Sequence, residues 1–140
     1  MNKLSNIFMI IFFLIIFTIS CNNSTSGNSE DKIVGKWAWI QSSGGYTGDT
    51  INPDIVGYSI ILAFEENGVY KEYKNGLLKF SSKYFIEKKP YGSINNKRDF
   101  LIIDNRNKEQ LIEFEKSISL KLIENCWDCY IHSYKRLSYF

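Results

Sequence analysis

The residues best suited to chemistry stand near the C-terminus, where Cys126, Cys129 and His132 form a C-x2-C-x2-H pattern. A thioredoxin-like redox site needs a βαβ setting and a helix N-terminus that lowers the thiol pKa, and neither is indicated around residues 126–132. A zinc site needs a fourth ligand or an open position beside an acid, and His132 is the only histidine of the chain. The remaining interpretation is a disulfide across a tight turn between two strands, or two unpaired thiols. We therefore predict no metal and no cofactor, and a possible disulfide between Cys126 and Cys129.

Catalysis by a serine or by paired carboxylates finds little support in the sequence. Any Ser-His-acid set would have to use His132, and the chain lacks the G-x-S-x-G pattern of hydrolase nucleophiles. Ser133 follows His132 directly, so on a strand its side chain would point to the opposite face. Glu113 and Glu115 would share a strand face, but two acids beside lysines on an outer surface are more often solvated than catalytic. We predict no catalytic residue and no enzymatic activity, with His132 as a structural strand residue.

Residues 42–54, with the sequence SSGGYTGDTINPD, form a long glycine-rich connection of the kind that often carries function. In one interpretation Tyr46 belongs to a lid that gates a ligand cavity, and in the other the loop is a packed cap. The cap is favoured, because a barrel of eight strands is barely wide enough for its own side chains or one small ligand. A phosphate cradle is disfavoured by the lack of a strand-loop-helix setting and of a lysine. The possible ligand or partner contacts are Trp39, Tyr46 and Tyr91, the last in a loop over residues 91–97.

Short strands and tight turns must position these residues. Aromatic residues make up 16% of the chain and favour strands, and no segment has a sustained helical period. Asn67-Gly68 and Asn75-Gly76 each predict a type I′ turn, whose positive φ angles match the twist of a hairpin. Because closure of such a meander removes exposed sheet edges, we predict an all-β fold, a small eight-stranded antiparallel up-and-down β-barrel. Its strands are predicted at residues 35–42, 58–66, 69–74, 77–88, 99–104, 110–115, 118–124 and 130–137.

The first 21 residues have the pattern of a targeting segment. Lys3 is followed by a nearly unbroken apolar run over residues 7–19, and Thr18, Ile19 and Ser20 precede Cys21. The run is shorter than the roughly 20 apolar residues that span a bilayer. The pattern resembles a bacterial lipoprotein signal peptide with its lipobox. The resemblance implies that residues 1–20 are removed and that acylated Cys21 anchors the protein to a lipid bilayer.

The mature chain implied by this signal has room for one domain. Residues 22–31 contain no apolar side chain, so we predict a flexible tether at residues 21–32 and a barrel domain at residues 33–140. Cleavage removes one of the 17 basic residues and none of the 15 acidic ones, and the remaining charges alternate in sign. No nucleic-acid partner is predicted.

The two ends of the predicted barrel carry a further resemblance. Gly35-Lys36-Trp37 opens the first strand and Arg136 ends the last, which resembles the lipocalins, where the arginine packs over the tryptophan and closes the barrel base. The chain is more similar to the lipocalin-like domain of small bacterial envelope lipoproteins, through the segments GKWAWIQSSGG, GDTINP, LAFEENGVYKEYKNG and NCWDCYIHSYKR. The resemblance implies barrel closure by Trp37 and Arg136 and an envelope location. It transfers no catalytic residue.

These expectations combine into a lipid-anchored protein of the bacterial cell envelope that is a non-catalytic binding module for a small apolar ligand. The alternative is a filled barrel that acts as a protein-interaction or inhibitor module, with an envelope protein as its partner. The outer membrane is favoured because position 22 is not Asp, and either of its faces fits the pattern. Trp37, Phe64 and Phe80 distinguish the two hypotheses, because rings that meet at the barrel centre would leave no room for a ligand.

Overall fold

The structure is a computed structural model that describes residues 28–92, 96–126 and 128–138. The predicted signal peptide and Cys21 lie outside these residues. Helix α1 (Ser29–Ile33) comes first, α2 (Pro53–Val56) follows the second strand, and a 3₁₀ turn (Lys116–Ile118) precedes the eighth. No helix in the three described ranges is long and apolar enough to cross a membrane. The strands are β1 (Gly35–Gly44), β2 (Asp49–Ile51), β3 (Ile60–Phe64), β4 (Val69–Lys74), β5 (Leu77–Tyr91), β6 (Asn96–Ile103), β7 (Glu109–Glu115), β8 (Ser119–Glu124) and β9 (Tyr130–Arg136).

The strands form one closed antiparallel sheet. From β3 to β9 each strand pairs with the next, and β1 pairs with both β3 and β9. Strands β1 and β3–β9 thus make an eight-stranded up-and-down barrel, and the predicted fold is confirmed. The short strand β2 was not predicted, and it pairs with the far end of β1 between Ser42 and Gly44. Closure through β1 and β9 makes neighbours of residues from opposite ends of the domain.

The two Asn-Gly hairpins differ in their turns. Asn75 and Gly76 both have positive φ angles, 51° and 77°, as a type I′ turn requires. At the other hairpin only Gly68 has a positive φ, and its N–H donates to the carbonyl oxygen of Glu65 at 3.0 Å. This is the pattern of a three-residue loop with a left-handed glycine, so the type I′ prediction for Asn67-Gly68 was wrong. Asn67 does not adopt the left-handed backbone conformation. Its side chain stabilises the turn by accepting a hydrogen bond from the Val69 N–H at 3.1 Å.

Large side chains fill the core of the barrel half next to α1. Trp37 is fully buried, and its Nε1 donates to the carbonyl oxygen of Ile33 at 2.7 Å. The Arg136 guanidinium lies 4.1 Å from the centre of the indole ring, the arrangement implied by the lipocalin resemblance. It also donates to the carbonyl oxygens of Val34, at 2.8 Å, and Lys32. Further rings fill this half: Phe64, Tyr84 and Phe114.

Helix α1 occupies residues where the end of the tether was expected. Ser29 Oγ donates to Asp99 Oδ2, and Ile33 is fully buried under the barrel base, so ordered structure already includes residues upstream of Ile33. This helix has five residues and only one buried apolar side chain, Ile33. A single apolar residue cannot form a periodic pattern, so the sequence gives no periodic signal for the helix.

Candidate functional site

The half of the barrel away from α1 retains an open cavity of about 260 Å³. Trp37 and Phe64 lie in the filled half, and Phe80 packs against the core around them, whereas other residues line the cavity. One part of the cavity wall is apolar (Trp39, Ile60, Leu62, Ile103, Leu122) and another carries charged side chains (Glu72, Arg106, Lys108, Glu124). The barrel is therefore filled at its base and open at its mouth.

An arginine and a glutamate form the first charged pair of the wall. Arg106 Nη2 donates to Glu72 Oε2 at 2.7 Å, and the Tyr70 hydroxyl donates to the same oxygen at 3.0 Å. The guanidinium also lies 4.3 Å from the centre of the Phe80 ring. The Phe80 ring and the Glu72 carboxylate therefore hold the Arg106 guanidinium in place. The Arg106 side chain is still 36% exposed.

The second charged pair belongs to a longer series of polar contacts. Lys108 Nζ donates to Glu124 Oε1 at 2.9 Å, and His132 Nε2 lies 3.6 Å from that oxygen. Ser42 Oγ lies 2.6 Å from His132 Nδ1 and accepts from Trp39 Nε1 at 2.9 Å. An indole N–H can only donate, so Ser42 Oγ is the acceptor of the Trp39 hydrogen bond, whereas the direction of the Ser42–His132 hydrogen bond follows the tautomer of the imidazole.

Burial and charge act in opposite directions on the two titratable groups of this chain. Burial lowers the pKa of His132, against the effect of the Glu124 charge, and so favours the neutral ring. Burial raises the pKa of Glu124, but the hydrogen bond and charge of Lys108, together with smaller effects of His132, outweigh it, so that this pKa is lowered. The wall is thus a neutral imidazole beside an ionised carboxylate.

Ser42, His132 and Glu124 stand in the order of a nucleophile, a base and an acid. Ser42 is only 3% exposed, however, and one of its lone pairs accepts the Trp39 N–H. The distance between His132 and Glu124 is also longer than a hydrogen bond. The arrangement suits positioning of the imidazole better than nucleophilic attack.

The site residues predicted from the sequence fall in three places. Trp39 lines the cavity. Tyr46 is 93% exposed in the turn between β1 and β2, so its side chain does not pack as a cap on the barrel. Ile51 of this loop and Val56 of α2 pack against the core instead. Tyr91 is 41% exposed and packs against Phe100, with 6.1 Å between ring centres, while residues 93–95 of its loop lie outside the described residues.

The charged residues of the wall were missed by the sequence analysis. Ser42 and His132 are 90 residues apart and meet only because β1 pairs with β9. The sequence did contain a signal for Glu72 and Glu124, namely the alternation of inward and outward residues along a strand. Glu72 lies two positions after buried Tyr70, and Glu124 lies two positions after buried Leu122, so both acids point inward. An acid at an inward position of a barrel indicates a polar interior.

Cys126 and Cys129 are joined by a disulfide in the turn between β8 and β9, with 5.4 Å between their Cα atoms. The turn closes beside the cavity mouth, because Glu124 ends β8 two residues earlier. The disulfide therefore lies next to the charged wall.

Comparison with protein-family models, curated proteins and solved structures gives no match. The lipocalin-like and lipoprotein resemblances therefore remain predictions from the sequence.

The buried tyrosines predict how stability depends on alkaline pH. Burial raises the pKa of Tyr70 and of Tyr134, with a further contribution from the nearby Glu72 charge. Above about pH 10 the unfolded state loses these protons while the folded state keeps them, so the unfolding free energy should fall by about 1.4 kcal/mol per pH unit and tyrosine. Urea unfolding between pH 9 and 11, at roughly half-unit steps, measures this slope. Tyr134→Phe should flatten the slope, because it removes one of the buried tyrosines; equal slopes in the variant and the unmodified protein would contradict the prediction.

Proposed function

We propose that this protein is a lipid-anchored module of the bacterial envelope whose barrel binds a small molecule in the cavity. The observation that carries the proposal is a barrel filled at its base and open at its mouth, with both apolar and charged side chains lining the cavity. A filled interaction module needs no such cavity, so the cavity favours ligand binding over that alternative. Acylation of Cys21 and an outer-membrane location belong to this proposal through the resemblance of residues 1–21 to a lipoprotein signal.

The cavity also bears on the class of ligand. Its volume of about 260 Å³ is just below the range of roughly 300 to 1,000 Å³ found for drug-sized ligands, which favours a smaller molecule. The sequence analysis favoured an apolar ligand. A wholly apolar ligand, however, would displace water from the Glu72–Arg106 and Lys108–Glu124 pairs without replacing the hydrogen bonds that this water makes. We therefore propose an amphiphile whose apolar body lies against Trp39 and whose polar group reaches Arg106.

Two matched arginine variants test the proposal. The barrel from Asn22 onward is produced in a bacterial envelope without its anchor, purified without detergent, and measured by native mass spectrometry with extraction of bound molecules. We expect one small molecule per chain. Arg106→Gln should retain at most about a tenth of it, since a hydrogen bond to a charged group contributes about 1.5 to 3 kcal/mol.

Arg98→Gln is the control, because Arg98 lies on β6 and faces Glu113 across 3.9 Å, away from the cavity-lining residues. It should bind as the unmodified protein does. Domains that are empty in every preparation would contradict ligand binding and would favour the interaction module. Equal retention by both variants would contradict the role of Arg106.

A further inference from the structure

The turn between β8 and β9 gathers two sulfur atoms and a carboxylate. One ligand atom each from Glu124, Cys126 and Cys129 lies within 4.8 Å of the other two. The sequence analysis found only His132 as a partner for the two cysteines, and Glu124 now supplies the missing group. In the disulfide form the sulfurs are bonded to each other and carry no thiolate charge for a metal ion.

We propose that reduction of the Cys126–Cys129 disulfide creates a site for a thiophilic divalent cation of the Zn²⁺ class. The two thiolates and the Glu124 carboxylate are its ligands, and the C-x2-C spacing is one that zinc sites use. Two thiolates select a soft or borderline ion over Mg²⁺ or Ca²⁺, which prefer oxygen ligands. Glu124 also lines the cavity, but the site does not require the proposed ligand of the cavity, because its three ligand groups are those of Glu124, Cys126 and Cys129.

The surroundings of Glu124 suit a metal ligand. His132 Nε2 lies 3.6 Å from Glu124 Oε1, and Ser42 contacts the other nitrogen of the imidazole, so a second layer of polar groups lies beside the carboxylate. Lys108 has to release Glu124, to which it donates at 2.9 Å. The Lys108 side chain is 68% exposed and can turn into solvent, but the Glu124 side chain is only 13% exposed, so the cation has to replace the lysine as the charged partner of this carboxylate.

The turn is also accessible to a reductant and to an ion. Cys126 is exposed, while Glu124 and Cys129 are half-buried. Tetrahedral binding needs Zn–S distances of about 2.3 Å, so the two sulfurs must separate to roughly 3.8 Å, a change that the side chains of one short turn can make.

The reaction is a thiol–disulfide exchange followed by metal binding. A dithiol reductant supplies two electrons; the S–S bond of the protein breaks, an S–S bond forms in the reductant, and its two protons pass to the cysteine sulfurs. Binding of the cation then releases these two protons to solvent. The disulfide and the metal therefore exclude each other, and the turn responds to redox conditions.

Cobalt(II) is the probe of this site, because thiolate ligation gives it a charge-transfer absorption band. The full chain with Cys21→Ser leaves Cys126 and Cys129 as its only thiols, and it is studied in detergent before and after reduction by a phosphine. We expect one Co²⁺ per reduced chain, displacement by Zn²⁺, and at least a hundredfold weaker binding by the oxidised chain. Equal binding by both forms, or no thiolate band after reduction, would overturn the proposal.

Two acidic variants test the carboxylate ligand. Glu124→Gln should weaken Co²⁺ binding at least tenfold, and Glu115→Gln, which removes an exposed carboxylate at the end of β7, should leave it unchanged. Far-UV circular dichroism of each variant separates loss of binding from loss of folding. The comparison of oxidised and reduced protein needs no substitution in the turn, so it stays decisive even if a variant fails to fold. Unchanged binding by Glu124→Gln would remove Glu124 from the site.

Discussion

Replacement of Trp37 by alanine is expected to lower the free energy of unfolding by about 3 to 5 kcal/mol. The indole is fully buried, lies 6.1 Å from the Phe114 ring between ring centres, and is covered by Arg136. Its removal leaves a cavity at the filled end, and it also leaves the Ile33 carbonyl oxygen without the 2.7 Å hydrogen bond from Nε1. Since a domain has only about 5 to 15 kcal/mol of stability, the variant should be close to unfolding.

Urea unfolding followed by far-UV circular dichroism measures this loss without relying on the fluorescence of the residue that is removed. The control is Ile40→Ala on the same strand, where the side chain is 43% exposed and the cost should be below about 1 kcal/mol. Similar losses in the two variants would show that Trp37 does not close the barrel.

Replacement of Gly44 by alanine should lower the free energy of unfolding by about 4 kcal/mol, because backbone strain and steric overlap contribute about 1 to 3 kcal/mol each. Gly44 has a φ of 144°, a conformation that side chains rarely allow. A Cβ atom there would lie 2.2 Å from the carbonyl oxygen of Cys129 and 2.9 Å from the Cα of Tyr130. Both contacts are with the backbone where the chain enters β9, the strand that closes the barrel, so the seam between β1 and β9 would have to open at this end.

Gly48→Ala is the matched control for this prediction. Gly48 also has a positive φ, 69°, but a Cβ there would meet nothing within 4 Å. Gly48→Ala should lower the free energy of unfolding by only about 1 kcal/mol, because it introduces backbone strain without steric overlap. Thermal and urea unfolding of the two variants give the difference; a Gly44→Ala protein as stable as Gly48→Ala would mean that β1 and β9 do not approach this closely.

Local patterns in the sequence predicted most of the strands. Alternation of apolar and polar residues fixes which side of a strand faces inward, and Asn75-Gly76 fixes one hairpin because its φ angles suit no other connection as well. Helix α2 also had a readable signal: Asn52 caps it by accepting the Ile55 N–H at 3.0 Å, Pro53 begins it, and Gly57 ends it in a left-handed conformation. That signal was missed because the helix has only four residues.

The strands that ran longer than predicted show where local pattern stops being informative. β5 extends to Tyr91 and β6 begins at Asn96, so this hairpin is longer than the alternation indicated. Its added residues are mostly exposed and polar, and pairing of the two strands, rather than burial, keeps them extended. Exposed pairing leaves no apolar signature in the sequence.

The sequence by itself determined that this chain makes a β-barrel, because strand periodicity and turn chemistry are local properties. It also placed Trp37 and Arg136 at the two ends of the barrel sequence through their resemblance to the lipocalins. The tertiary structure alone decided the cavity, because Ser42 meets His132 and Glu72 meets Arg106 across 90 and 34 residues. Which inward side chains face each other depends on the register of closure between β1 and β9, and that register is a property of the whole sheet.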